Sequence, residues 1–136
     1  MSFDIFIQCC GDGERATFKR ELVEEIFGRR ALDPPPYFRG ATYLDGRAEI
    51  FGADEADEID GLMCSHSSGM AFYEALYELA DRTGSVIFWP SDGPWAAVTK
   101  EATLAHLPPG AFDQDGLPPS VVASASELVA LISGPD

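Results

Sequence analysis

The side chains best equipped for chemistry lie together in Cys64-Ser65-His66-Ser67-Ser68-Gly69. A thiolate beside an imidazole can serve as nucleophile and base, or as half of a zinc site. On a strand, Cys64 and His66 share a face, and Cys9 on an earlier strand is a candidate neighbour. Same-face neighbours on one straight strand stand roughly 6–7 Å apart, too far for a direct hydrogen bond. There is no Cys-x-x-Cys and no His-x-x-x-His, and His106 is the only other histidine. By these criteria we expect no catalytic residue, no metal and no cofactor. Ser67 and Ser68 have a simpler use, since hydroxyls at a helix start satisfy its free N–H groups. With Gly69 the same groups could hold a small anion, but the negative surroundings favour capping.

Three further stretches invite a chemical reading. Gly11-Asp12-Gly13-Glu14 follows a strand and precedes a helix, the context of a phosphate loop. It lacks the third glycine of a dinucleotide fingerprint and the Gly-Lys-Ser/Thr of a P-loop, so it reads as a turn. The acidic run from Asp54 to Asp60 invites calcium. With Gly61 at the glycine position of an EF-hand loop, Asp60 and Glu58 fall on ligand positions, but Ala56 stands first and Ser67 twelfth. The bidentate glutamate is missing and the match fails. Finally, Asp92-Gly93 sits in Trp89-Pro90-Ser91-Asp92-Gly93-Pro94-Trp95. Rigid prolines either side of a tight turn would display that tip, or would simply end two strands whose indoles complete a core.

The elements that must position these residues follow from periodicity. Phe3, Ile5, Ile7 and Cys9 alternate on one strand face. Phe18, Leu22, Val23, Ile26 and Phe27 then fall at helical spacing, with Thr17 placed to cap the start and Gly28 to end it. After Pro34-Pro35-Pro36, Tyr37 to Leu44 and Arg47 to Phe51 flank Asp45-Gly46, a type I′ hairpin signal. That two-residue loop sets Tyr43 opposite Ala48 and Ala41 opposite Ile50. Ala53 to Gly61 reads as a solvated bend and Leu62 to His66 as a strand. Phe72, Leu76, Leu79 and Ala80 form the stripe of a helix capped by Ser67 or Ser68 and ended at Thr83-Gly84. Ser85–Trp89 and Trp95–Val98 are two strands, and Thr99 caps a short helix to about His106. A Pro/Gly-rich loop over 107–119 leads to a C-terminal helix at about 124–133, opened by the capping box of Ser124 and Glu127.

The order predicts an α+β fold in one domain over 1–136: a ferredoxin-like (split β-α-β) antiparallel sheet with two main helices, plus an extra strand and the C-terminal helix. One hairpin departs from a two-layer plan. Pairing Trp89 with Trp95 puts Val86, Phe88, Ala96 and Val98 on one side, and Ile87, Ala97 and both tryptophans on the other. Neither side is charged, so something must cover the second face, which a two-layer sheet would leave polar. The C-terminal Val121, Val122, Leu128, Leu131 and Ile132 are the favoured cover, and a partner chain is the alternative.

Charge is unevenly divided. Residues 1–48 hold eight acidic and seven basic side chains, whereas residues 49–136 hold fifteen acidic ones against Arg82 and Lys100, within a net charge of −14. Such a field repels nucleic acid and anionic lipid and attracts basic surfaces. No stretch approaches the roughly 18 apolar residues of a membrane span. The start carries no basic region before its short apolar run, and three cysteines leave one thiol over in any pairing. Both features lead us to expect a cytoplasmic protein.

In size, cytosolic character and charge the chain resembles the small acidic immunity proteins that neutralise bacterial toxins. The likeness is one of profile and carries no motif. It implies a non-enzymatic protein that binds a basic partner, with Glu49, Asp54, Glu55, Asp57, Glu58 and Asp60 steering it and Trp89, Asp92 and Trp95 at the contact. An alternative is a small-molecule binder or enzyme with a pocket near His66, lined by Tyr43, Cys64, Ser67, Ser68 and Trp89. A second alternative is homodimerisation through the last hairpin, so that the expected state is monomer or homodimer.

Overall fold

The computed structural model describes residues 4–11, 13–32, 41–52, 57–91, 94–108, 110–113 and 118–133. Along the chain run β1 (Ile5–Gly11), β2 (Glu14–Arg15), β3 (Phe18–Lys19), α1 (Arg20–Gly28), β4 (Ala41–Tyr43) and β5 (Gly46–Phe51). They continue with β6 (Glu58–Ile59), β7 (Gly61–Ser65), α2 (Met70–Thr83), β8 (Ser85–Phe88) and β9 (Ala96–Val98). A 3₁₀ helix (Glu101–His106), β10 (Ser120–Val121) and α3 (Ala125–Ser133) follow. The fold is α+β. Its mixed sheet has the order β10-β9-β8-β1-β7-β5-β4, antiparallel except where β10 runs parallel to β9.

Alternation along β1 turns Ile5, Ile7 and Cys9 into a core shared with Val23, Ile26 and Phe27 of α1 and Phe72, Leu76 and Leu79 of α2. Both helices therefore line one sheet face, and α3 seals α2 with the fully buried Leu128. Gly84 ends α2 in the left-handed conformation at φ 67°, as its position in the sequence implies. Ser124 and Glu127 cap α3: the Glu127 N–H donates to the Ser124 hydroxyl at 3.1 Å and the Ala123 N–H to the Glu127 carboxylate at 3.0 Å.

Several expectations are corrected. β1 is followed by a second strand, not by a helix, so the setting of a phosphate loop is absent. Thr17 does not cap α1, which starts from Lys19; its hydroxyl instead donates to Glu58 at 3.2 Å. Phe18 belongs to β3, where it pairs with Ile59 of β6, and both side chains are buried. The acidic bend thus contains a strand, because Ile59 finds an apolar partner across the bridge. Lys100 rather than Thr99 precedes the 3₁₀ helix.

The hairpin of β4 and β5 keeps the expected faces but slips by two residues. Tyr43 pairs with Gly46 and Ala41 with Ala48, so the loop is Leu44-Asp45. Its cause is the start of α2. The Met70 N–H donates to the Asp45 carboxylate at 2.8 Å and the Ala71 N–H at 3.3 Å, so Asp45 caps α2 from across the sheet. Neither Ser67 nor Ser68 takes that role: Gly69 stands at the cap position before Met70, and the Ser68 hydroxyl accepts the Arg47 N–H at 3.2 Å. Gly46 and Gly69 permit the approach. A Cβ on Gly46 would run into the Ser68 carbonyl, and one on Gly69, at φ 91°, would stand 2.6 Å from the Asp45 carbonyl oxygen.

The last hairpin has the expected register, with Ile87 opposite Ala97 and the Trp89 N–H donating to the Trp95 carbonyl at 2.9 Å. Val86, Ile87, Ala96, Ala97 and Val98 are all buried, so both faces are covered. The C-terminal segment covers one face, as expected, and a different segment covers the other. Leu104, Leu107 and Phe112 pack on the Val86, Ala96 and Val98 side, while Val122 and Leu128 join the core on the Ile87 side. Trp95 lies with Phe112, ring centroids 6.2 Å apart, away from Trp89. It precedes the first residue of β9, so strand alternation does not bind it.

Candidate functional site

Cys64 sits on the inner face of β7, between Ile5 of β1 and Ile50 of β5, and has no exposed surface. Burial pushes its thiol up to about 12, which leaves no thiolate to attack or ligate at neutral pH. Cys9 is also buried. It stands four residues along β1 from Ile5, so roughly 13 Å of strand separates it from Cys64. Desolvation raises the Cys9 thiol against the opposing hydrogen bond from Ser85.

His66 leaves the strand. Its φ of 51° breaks the alternation that would have put it beside Cys64. The side chain is 61% exposed, and its Nδ1 meets the Glu49 carboxylate on the outer side of β5. Tyr43 is buried with the core, whereas Ser68 lies at the surface. The five residues expected to line a pocket near His66 are therefore divided between interior and exterior. The anion site expected as the alternative at Ser67, Ser68 and Gly69 is filled from within, since the Asp45 carboxylate occupies the N–H groups of α2.

Open depressions lie elsewhere. One of about 450 Å³ is bounded by Thr17, Phe18, Glu25 and Arg82, and another of about 280 Å³ by Lys19, Arg20, Asp57 and Glu58. Both carry charges of both signs. Among the described residues no group of three His, Cys, Asp or Glu is placed to hold a metal ion. No helix among them is long and apolar enough to cross a membrane.

The expected partner-binding residues occupy different places. Asp57 pairs with Arg20 at 3.0 Å, beside Glu58 and Thr17 at the start of α1. The Asp60 carbonyl accepts the Cys9 N–H at 2.8 Å. Glu49 stands apart, with His66. Trp89 is 2% exposed and cannot touch a partner, a correction to its role as an anchor. Trp95 is half-buried. Asp54, Glu55 and Asp92 lie outside the described residues.

Basic side chains on the helical side are engaged locally. Arg30 and Arg29 reach Glu78 at 2.9 and 3.2 Å, and Arg82 reaches Glu25 at 2.8 Å, tying α1 to α2. Burial alone would raise the Glu78 carboxyl, but hydrogen bonds and charge from Arg30 and Arg29 outweigh it and hold the group below its ordinary range.

A feature of the opposite sheet face escaped the sequence reading. Phe51 pairs with Met63, Met63 with Phe6 and Phe6 with Phe88, so four apolar side chains from β5, β7, β1 and β8 form one row. Phe6 and Phe88 stack at 5.2 Å, and Phe112 covers the Phe88 end at 5.1 Å. The other end is open: Phe51 is 42% exposed, and Met63 and Phe6 are half-buried. The next row along the strands is polar, with Glu49 opposite Ser65 and the Ser65 hydroxyl donating to Asp4. Apolar residues at outward positions were the available signal. Only the register of strands distant in sequence aligns them. No family model, curated protein or solved structure matches the chain.

Proposed function

We propose that this chain is a non-enzymatic protein-binding module that takes a basic protein partner, in the manner of a toxin-neutralising immunity protein. The observation that carries the proposal is the charge division: fifteen acidic against two basic side chains in residues 49–136. Support also comes from the helical side, where Arg29, Arg30 and Arg82 are occupied by Glu25 and Glu78. The field that attracts a basic surface repels polyanions, so nucleic acid is not the proposed partner. A cytoplasmic location belongs to the proposal, supported by three unbridged, buried thiols. We read the architecture as a split β-α-β plan extended at both sheet edges. The antiparallel order β8-β1-β7-β5 supports that reading.

The test uses the purified chain as bait in native cytoplasm, followed by kinetics with the captured protein. The expected partner has a pI above about 9, and its association slows at least tenfold between about 50 and 500 mM salt. A neutral or acidic partner, or association indifferent to salt, would overturn the proposal.

A further inference from the structure

We infer that the partner docks on the outer sheet face, seating apolar side chains on the open end of the Phe51–Met63–Phe6 row and basic ones on Glu49 and Asp4. This inference rests on the proposed basic partner and names its surface and chemistry.

Three observations combine. First, the row is built by register, Phe51 to Met63 to Phe6 to Phe88, so the rings lie side by side at strand spacing. Second, among the described residues cover is confined to one end. Phe112 closes over Phe88 and leaves Phe51, Met63 and Phe6 in contact with solvent. Third, carboxylates run alongside, since Glu49, Ser65 and Asp4 occupy the neighbouring row about 6–7 Å away. Arg47, the basic side chain of β5, lies a further two residues from the aromatic row. An apolar strip bordered by acid matches a polypeptide segment whose apolar anchors are flanked by lysine or arginine. A polyanion would meet Glu49, Asp4 and the net charge of −14. A second copy of the chain would set those carboxylates against their own kind.

The probe is a synthetic 14-residue leucine–lysine peptide in amphipathic order, with a scrambled peptide of the same composition as comparison. Binding is followed by isothermal titration calorimetry. The intact chain should bind the ordered peptide at least tenfold more tightly than the scrambled one. The double variant Phe51→Ser/Met63→Ser should lose at least tenfold, and Glu49→Lys about threefold. Glu74→Gln, on the exposed side of α2, should change nothing. Circular dichroism checks folding, and Glu49→Lys keeps the test decisive if the double variant unfolds. Equal binding of the two peptides, or variants that bind normally, would overturn the inference. So would a dimeric mass that the double variant abolishes, or tighter binding of a single-stranded RNA of similar length. The cytoplasmic capture separates the two failures. If the double variant still captures a basic, salt-sensitive partner, this surface is wrong and the proposed function stands. If the intact chain captures no basic partner, both fall.

Discussion

Burial holds the Cys64 thiol protonated up to a pKa of about 12, and the same burial denies reagents access to it. Native protein at pH 8 should leave Cys64 unreacted with a thiol reagent over hours, while in denaturant all three cysteines react. The linkage has a sign. The folded thiol binds its proton more tightly than the unfolded one, whose value lies near about 8.5. Stability from this source is complete below that pH and falls as pH rises through the interval to about 12. Cys64→Ala should flatten that alkaline decline in urea titrations; an unchanged slope would contradict the assignment. Gly46 makes a second residue-level case. Its missing side chain admits the Ser68 carbonyl, so Gly46→Ala should cost about 3 kcal/mol by denaturant unfolding.

The cap of α2 comes from another element, and this governs what its loss would do. Asp45→Ala leaves the Met70 and Ala71 N–H groups without their carboxylate and should cost about 1–2 kcal/mol, whereas Asp45→Asn should retain most of the cap. Ser67→Ala should be milder, the reverse of what a local cap predicts. Between α1 and α2, Glu78 gathers Arg29, Arg30 and Arg82. Its folded value is depressed, so its stabilisation is present above the unfolded glutamate value of about 4.3 and is lost as pH falls through the folded one. Glu78→Gln should therefore cost about 0.5–1 kcal/mol at pH 7 and nothing near pH 2, measured by urea midpoints. A difference that persists in acid would show the network is not electrostatic.

Across the whole molecule, the sheet has two unlike faces. Helices α1 and α2 bury one, whereas among the described residues the other is covered where Leu104, Leu107 and Phe112 lie on the last hairpin. Phe112→Ala should cost about 3 kcal/mol and shift Trp95 emission to the red, since the two rings are neighbours. Trp89 emission should hardly move. The same asymmetry bears on pairing of two copies through that hairpin. Its faces are both buried within the chain, so homodimerisation there would require Leu107 and Phe112 to leave.

Alternation and helical spacing are local, and they sufficed for β1, β5, β7, β8, α2 and α3, for the inward faces of Tyr43, Ala48 and Ile50, and for the register of Trp89 with Trp95. Charge likewise depends on composition alone, and the acidic excess of residues 49–136 was legible without coordinates. The two-residue bridge of Phe18 with Ile59 was not legible, because so short a strand has no period to read. Three other outcomes required distant segments to meet. Asp45 became the cap of α2, His66 turned outward to Glu49 while Cys64 went inward, and Phe51, Met63 and Phe6 fell into line. Each depends on register between strands far apart in the chain, which is decided when the core closes and not by any stretch of residues alone.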